Sequence, residues 1–409
     1  MKINIPSVIG GSMLVAGTAI GAGMLGLPII SAGMWFYWSM ALLVVSWFCM
    51  LRSSQALLEV NLHFEPGKSF HTLARDLLGP FWSALNGLSV AFVLYTLVYA
   101  YVSGGGSVVQ HILTPPLGLT PPRILTSLIF ASLLGACIWW SSKAVDRFSV
   151  ILMGGMVISL FFSMGGMFGR IKITTLMDAG GDGGQFIFVW CAVSTYLTSF
   201  CFHASVPSLV KYMGRDYSTI NKCLVYGTAM ALLCYVAWIV ATDGVIPRNK
   251  FLEVIAAGGN VGNLLAMAGE NLGSRFILSF LEAFSLLAVA TSFLGAGLGL
   301  FDYMADLCSF DDSRLGRTKT MLVTLIPPMI CGLVWPDGFL PAIGWAGLAA
   351  AVWSVITPAL LLMAGRKKFP PIGYVAPGGT LLVPLLILYG ILVAVCHTLF
   401  VFELLPMYG

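Results

Sequence analysis

Apolar stretches long enough to cross a bilayer recur along almost the whole 409-residue chain, and no other feature constrains its fold as tightly. A spanning helix needs about 20 predominantly apolar residues. Eleven segments qualify: 5–31, 34–60, 82–104, 123–141, 147–168, 186–210, 220–242, 276–304, 319–336, 341–364 and 380–404. In lipid every backbone polar group must be satisfied within the chain, so the expected class is an all-α polytopic membrane protein in a single transmembrane unit over 1–404. Composition agrees: 58% of residues are hydrophobic and only 9% are Asp, Glu, Lys or Arg. Ordinary soluble domains carry roughly 25% charged residues. A chain this poor in charge cannot cover a globule with solvated side chains. That excludes a soluble enzyme, a nucleic-acid binder and a disordered protein. The first apolar run, from about Ile5, is too long for the apolar core of a cleavable signal peptide and reads as the first span.

Positive charge orients the spans, because cytoplasmic segments carry an excess of Lys and Arg. With Lys2 and the N-terminus inside, fifteen basic residues lie inside, among them Arg52, Lys143, Lys211, Arg314 and Arg366. Six lie outside: Arg123, Arg170, Lys172, Arg248, Lys250 and Arg275. The expected orientation is N-terminus in and C-terminus out. The outer segment 243–275 is polar enough to lie on the surface and to hold a short helix. Segment 69–78 (SFHTLARDLL) is short and amphipathic and belongs along the cytoplasmic interface. The nine cysteines are an odd number, form no CxxC pair and lie mostly within apolar runs, so they read as packing residues.

Two spans are interrupted. The first reads GGSMLVAGTAIGAGMLGLPII, with glycines at 10, 11, 17, 21, 23 and 26 and then Pro28. Such glycine density weakens helix in mid-span. The sixth carries Ser199, His203, Ser205 and Pro207 at its centre, and the proline opens the chain near 202–206. Unwound backbone at membrane depth survives only where it is buried or lines a cavity. The interrupted spans open two blocks of five, 5–168 and 186–364, with 380–404 as an extra helix. Five is odd, so the second block starts from the opposite side of the membrane. That is an inverted repeat, with the two breaks meeting at the midplane. Gly21, Gly23 and Gly26 match a dinucleotide-binding fingerprint literally. No strand precedes them, however, and no acidic residue follows at the right distance.

AGTAIGAGMLGLPIISAGMWF (16–36), FCFHASVPSLVKYMG (200–214) and ATSFLGAGLGLFDYMADL (290–307) resemble the first-, sixth- and eighth-helix signatures of the hydroxy and aromatic amino acid permeases. The likeness covers nearly the whole chain, and segments 38–51, 58–79 and 91–107 look most like the tryptophan-specific branch. The resemblance implies an eleven-helix symporter of the bacterial inner membrane, with a periplasmic C-terminus and the leucine-transporter-like five-plus-five fold. It also implies a place in the amino acid–polyamine–organocation superfamily, whose permeases of this kind are described as proton-coupled. No prosthetic group is implied.

An aromatic amino acid needs amide donors for its carboxylate, carbonyls or a hydroxyl for its ammonium, and an apolar slot for its ring. The break from Thr18 to Gly23 can supply amides. The family pattern points to Ala19, Gly21, Ala22 and Gly23. Phe200 to Ser205 can supply carbonyls and ring contacts, above all Phe202 and His203. His203 reads as a pH-sensitive gate, an indole partner or a neutral core histidine. Tyr95 and Tyr99 share one helix face, with Tyr101 nearby, and one of these hydroxyls closes the site or packs in the interface. Ala288, Thr291 and Ser292 fall on one face of the eighth span. They match the pattern that gives Na⁺ a carbonyl and two hydroxyls in sodium-coupled members of the fold, with Gly17 and Ile20 carbonyls completing five ligands. Relatives commonly carry a lysine on the fifth helix at that place. Here the matching residue is Met156 and 147–168 holds no lysine. The coupling ion is therefore Na⁺ or H⁺, and the alternative for Thr291 and Ser292 is bonding to their own helix. Glu59, Glu282 and Asp302 are intramembrane carboxylates, each a gate, a proton acceptor or a structural partner of a base.

The leading function is cation-coupled import of L-tryptophan by alternating access. A tyrosine or broad aromatic permease, a channel and a sensor on a transporter fold stand behind it. The five histidines are scattered, which argues against an embedded metalloenzyme, and no phosphate loop is present.

Overall fold

The computed structural model describes residues 7–66, 68, 70–178, 184–371 and 373–408. Lys2, Ile5 and Ser69, which bear on the expected orientation and on two element starts, lie outside them. Every regular element among the described residues is helical.

The first span is two helices. Helix α1 (Val8–Ala19) starts at Ser7, whose hydroxyl accepts the Gly10 amide at 3.2 Å. It stops because Ile20 (ψ 106°) and Gly21 leave helical geometry. A tight turn over Ala22–Gly26 then leads into α2 (Leu27–Ser31), and the two halves are bent by 45°. Helix α3 (Trp35–Asn61) crosses back. The amphipathic α4 (Phe70–Leu78) buries Leu73 and Ala74, and α5 (Pro80–Leu117) follows. Helices α6 (Arg123–Trp140) and α7 (Ser142–Phe168) follow, and α8 (Ile173–Met177) is a single turn.

The sixth expected span is likewise two helices, α9 (Val189–Ser199) and α10 (Ser205–Met213), joined by the non-helical residues 200–204. Pro207 falls in the first turn of α10, where no intrahelical N–H is required. Next come α11 (Tyr217–Val245), α12 (Lys250–Ala256), α13 (Val261–Leu272), α14 (Arg275–Cys308) and α15 (Arg314–Val334). Helices α16 (Phe339–Ala350) and α17 (Thr357–Lys368) are continuous through a wider-wound turn over Ala351–Ile356, and α18 (Leu382–Val401) is the last helix among the described residues. The expected outer segment thus holds two short helices.

Among the described residues, eight helices are long and apolar enough to cross a bilayer, or nine if the bent α1–α2 pair counts as one span. Two expected spans do not pass on apolar length alone. The α9 and α10 halves are eleven and nine residues long, and α15 opens with Arg314, Arg317 and Lys319. Large apolar side chains such as Leu133, Val150, Phe161 and Leu388 point outward, the surface expected of a lipid-facing wall. Inside, α14 packs on α5 and α7, α16 on α5 and α9, and α1 on α11. The α1–α11 backbones touch: a methyl on Gly227 would sit 2.6 Å from the Ser12 carbonyl oxygen.

Candidate substrate site

The two interruptions lie against each other at the centre of the molecule. Ala19 ends α1 and Ser199 ends α9, and both carbonyls lie 2.6 Å from the Tyr235 hydroxyl of α11. Two helix C-termini, each with partial negative charge, therefore converge on a single donor. Ser205 at the start of α10 donates to Thr18 Oγ1 at 3.1 Å, and the Thr18 hydroxyl donates to Leu14 O at 2.7 Å. The Ala22 amide donates to Ser292 Oγ of α14 at 3.0 Å. Gly21 is required there by close approach, since a methyl at that position would fall 2.5 Å from Ser292 Oγ.

A cavity of 580 Å³ begins at these breaks and extends toward α4. Pockets of about 300–1,000 Å³ hold small molecules. Thr18, Ala19, Gly21, Ala22, Gly23 and His203 line it, as do Gly17, Ile20, Thr291 and Ser292. One wall is a row of rings: His203 lies 6.1 Å edge-on to Trp353, and Trp353 lies 6.1 Å edge-on to Phe70 of α4, with Phe202 packed behind His203 at 5.1 Å. His203 is 1% exposed and neither ring nitrogen has a hydrogen-bond partner.

Other expected residues lie elsewhere. The Tyr95 and Tyr99 hydroxyls donate to Val323 O (2.9 Å) and Trp335 O (2.8 Å), so this face of α5 packs on α15 and the turn after it. Tyr101 takes their place on the cavity wall, and its hydroxyl approaches Ser292. Phe200 and Phe202 are fully buried behind the cavity surface, with Phe200 edge-on to Tyr235 at 4.9 Å. Ala288 is buried behind Thr291. The Thr291 hydroxyl faces Leu287 O (2.9 Å) and Ala288 O (3.1 Å) on its own helix and lies 3.9 Å from Met156 Sδ. Sequence reasoning missed Tyr235, Trp353 and Phe70. For Tyr235 and Trp353 the available signal was a hydroxyl or indole inside an otherwise apolar run; for Phe70 there was none.

The three carboxylates are placed differently. Glu59 receives both Arg366 Nε (2.7 Å) and Nη2 (2.8 Å) and the Ala376 amide (2.5 Å), a two-pronged clamp from α3 to the end of α17. Glu282 lies buried 3.2 Å from His111 Nε2 and 3.9 Å from Arg275 Nη1. Asp302 is exposed near the end of α14.

Further hydrogen bonds join neighbouring elements around Ala32, Pro336 and Gly344. Arg248 donates to Ala32 O (3.0 Å) and Gly33 O (2.8 Å), Ser103 to Pro336 O (2.5 Å) and Ser194 to Gly344 O (2.6 Å).

The profile of the tryptophan/tyrosine permease family matches residues 4–397. The chain belongs to that family. It is a permease, not an enzyme. The tryptophan-specific transport protein of Pseudomonas aeruginosa is 48% identical over 98% of this permease and 97% of its own length. The protein of the same description from Shigella flexneri is 45% identical over the same shares. A crystal structure of a mutant manganese transporter from Eremococcus coleocola superposes with a TM-score of 0.65, covering 98% of this permease and 89% of that chain. At 13% identity that likeness bears on the fold alone.

Proposed function

We propose that this permease imports L-tryptophan, and with it other aromatic amino acids, across the bacterial cytoplasmic membrane by cation-coupled symport. The observation that carries the reading is the pair of helix breaks opening onto one 580 Å³ cavity with an aromatic wall. The substrate carboxylate lies at the N-terminal end of the Ala22–Gly26 turn, whose Gly21, Ala22 and Gly23 line the cavity. Its ammonium lies toward the C-terminal ends of α1 and α9, near the Ala19 and Ser199 carbonyls. Its ring lies along His203, Trp353 and Phe70. Two close relatives described as tryptophan-specific support the choice of ring.

In this reading the chain has eleven spans in two inverted blocks of five, with the N-terminus cytoplasmic and the C-terminus periplasmic. The α4 face is then the cytoplasmic one, so the cavity reaches inward while the Arg248 and Ser103 ties close the outer side. Alternating access consists of breaking those ties and closing the α4 side. The coupling cation is Na⁺ or H⁺. For Na⁺ the donor set fits in part. Gly17, Ile20, Thr291 and Ser292 share the cavity, but Ser292 Oγ already accepts the Ala22 amide and the soft Met156 sulfur stands beside Thr291.

The test is labelled tryptophan uptake into proteoliposomes, with Na⁺ and proton gradients imposed separately and unlabelled amino acids as competitors. Saturable uptake driven by one of the gradients and displaced first by aromatic amino acids is expected. Uptake that neither saturates nor follows an ion gradient would refute symport.

A further inference from the structure

Asp243 lies two residues before the end of α11 and is 0% exposed. Hydropathy alone ends the seventh span at 242 and leaves this residue in the outer loop. In the fold α11 runs on to Val245, and the segment before α8 covers its end. The Lys172 amide donates to Gly244 O at 2.9 Å, and a methyl on Gly244 would meet the Ile171 side chain at 2.8 Å. Asp243 Oδ2 has no hydrogen-bond partner. Oδ1 has only the Thr242 hydroxyl at 3.5 Å, and that hydroxyl faces Trp238 O (2.9 Å) and Ile239 O (3.1 Å) on its own helix.

Among the described residues no counter-charge pairs with it. Tyr196 of α9 lies within its electrostatic reach. Tyr196 in turn shares a 2.5 Å hydrogen bond with Ser31 of α2 and interacts with Ser39 of α3. The cations nearest in sequence are engaged or solvated. Arg170 donates to Leu272 O, Arg248 holds Ala32 O and Gly33 O, and Lys172 is exposed. A buried intramembrane carboxylate without a cation is costly, and a proton is the smallest ligand that removes the charge.

We propose that Asp243 is the proton-binding site that couples the gradient to transport, taking a proton from the outer side when the cover over α11 opens. The inference rests on the symport reading and selects the proton as its ion. Tyr196 and Ser31 give it a mechanical link to transport. They join α9 to α2, the outer halves of the two broken spans, and Ser31 lies 2.5 Å from Leu27 O at the foot of the span-1 turn. Neutral Asp243 permits the sealed packing seen here. Ionised Asp243 favours hydration of this corner, and with it separation of α2 and α9. One proton taken up from the outer water, carried as the carboxyl O–H and given up to the inner water moves one positive charge inward per cycle.

The experiment uses the full-length permease in proteoliposomes, with choline replacing Na⁺ and the outside made acidic. Wild type should accumulate labelled tryptophan and alkalinise the medium when tryptophan is added. Asp243→Asn should equilibrate tryptophan without accumulating it and take up no protons, yet keep tryptophan–tryptophan exchange, which requires no net proton movement. Asp243→Glu should restore accumulation with a displaced pH profile. Proton-driven accumulation by Asp243→Asn at the wild-type level would overturn the proposal. So would loss of exchange in a monodisperse Asp243→Asn protein, which marks a structural role, and so would wild-type accumulation that requires Na⁺. Wild-type vesicles with no saturable tryptophan uptake would instead take down the transport reading, and this proposal with it.

Discussion

Gly21→Ala is the sharpest perturbation of the proposed site. A methyl built on Gly21 falls 2.5 Å from Ser292 Oγ but 3.9 Å from Ser292 Cβ. The backbone can stay in place only if the hydroxyl swings away, and that hydroxyl accepts the Ala22 amide at 3.0 Å. Losing it leaves a part-buried donor unpaired, which costs about 1–3 kcal/mol. Ser292→Ala should cost a similar amount, because it removes the same acceptor directly. In the double variant the two methyl carbons meet at an ordinary van der Waals distance of 3.9 Å, and the amide is unpaired once rather than twice. The double variant should therefore be no worse than either single one, with an interaction energy of about −1 to −3 kcal/mol. Thermal unfolding of the purified permease in detergent measures the cycle. Equilibrium binding of labelled tryptophan measures the share felt by the ligand, at about tenfold in Kd per 1.4 kcal/mol. Additive losses, or a Gly21→Ala protein indistinguishable from wild type, would show that the break does not rest on Ser292.

Tyr235→Phe keeps the ring against Phe200 but removes the donor shared by Ala19 O and Ser199 O. It should destabilise the protein by about 1–3 kcal/mol and weaken tryptophan binding, and unchanged binding would detach Tyr235 from the site. Asp216 caps α11 by accepting the Thr219 amide at 3.1 Å, and Asp216→Ala should cost about 1 kcal/mol at neutral pH. The hydrogen bonds from Thr219 hold the Asp216 carboxyl below its ordinary range, with a smaller contribution from Lys222. The folded value lies below the unfolded one, so the stabilisation is present above the unfolded value of about 3.9 and is lost as pH falls through the folded value. Melting temperatures of wild type and Asp216→Ala should converge on acidification, and a constant gap would contradict the cap.

The breaks were legible because their causes are local. Glycine density around Gly17–Gly26 and Pro207 act through their own backbones, and the structure interrupts both spans within a few residues of the expected places. The cavity wall was legible where it is made of those same residues and at Thr291 and Ser292 of the eighth expected span. Which face of α5 meets the cavity was not, because Tyr95 and Tyr99 share a face that any neighbour could cover, and α15 lies more than 200 residues away in the chain. Two positions beyond Tyr99, a turn of roughly 200° at 3.6 residues per turn, brings Tyr101 to the opposite side and onto the cavity. Asp243 was misplaced for a related reason. A hydropathy window reads a carboxylate as the end of a span, whereas burial here comes from segment 171–177 folding over α11.

Why both breaks share one partner follows from the same hydrogen-bond requirement that makes the chain helical elsewhere. Stopping α1 at Ala19 and α9 at Ser199 frees carbonyls that no helix amide receives, and each would be costly if left unpaired in the interior. One hydroxyl, Tyr235, has a single hydrogen for two carbonyls at equal distance, so one acceptor is always left short of a donor. A ligand ammonium carries three donors and can supply what the protein leaves short. In the proposed site the backbone defect that weakens each span is therefore also what lets the pair of them receive the ammonium of a zwitterion.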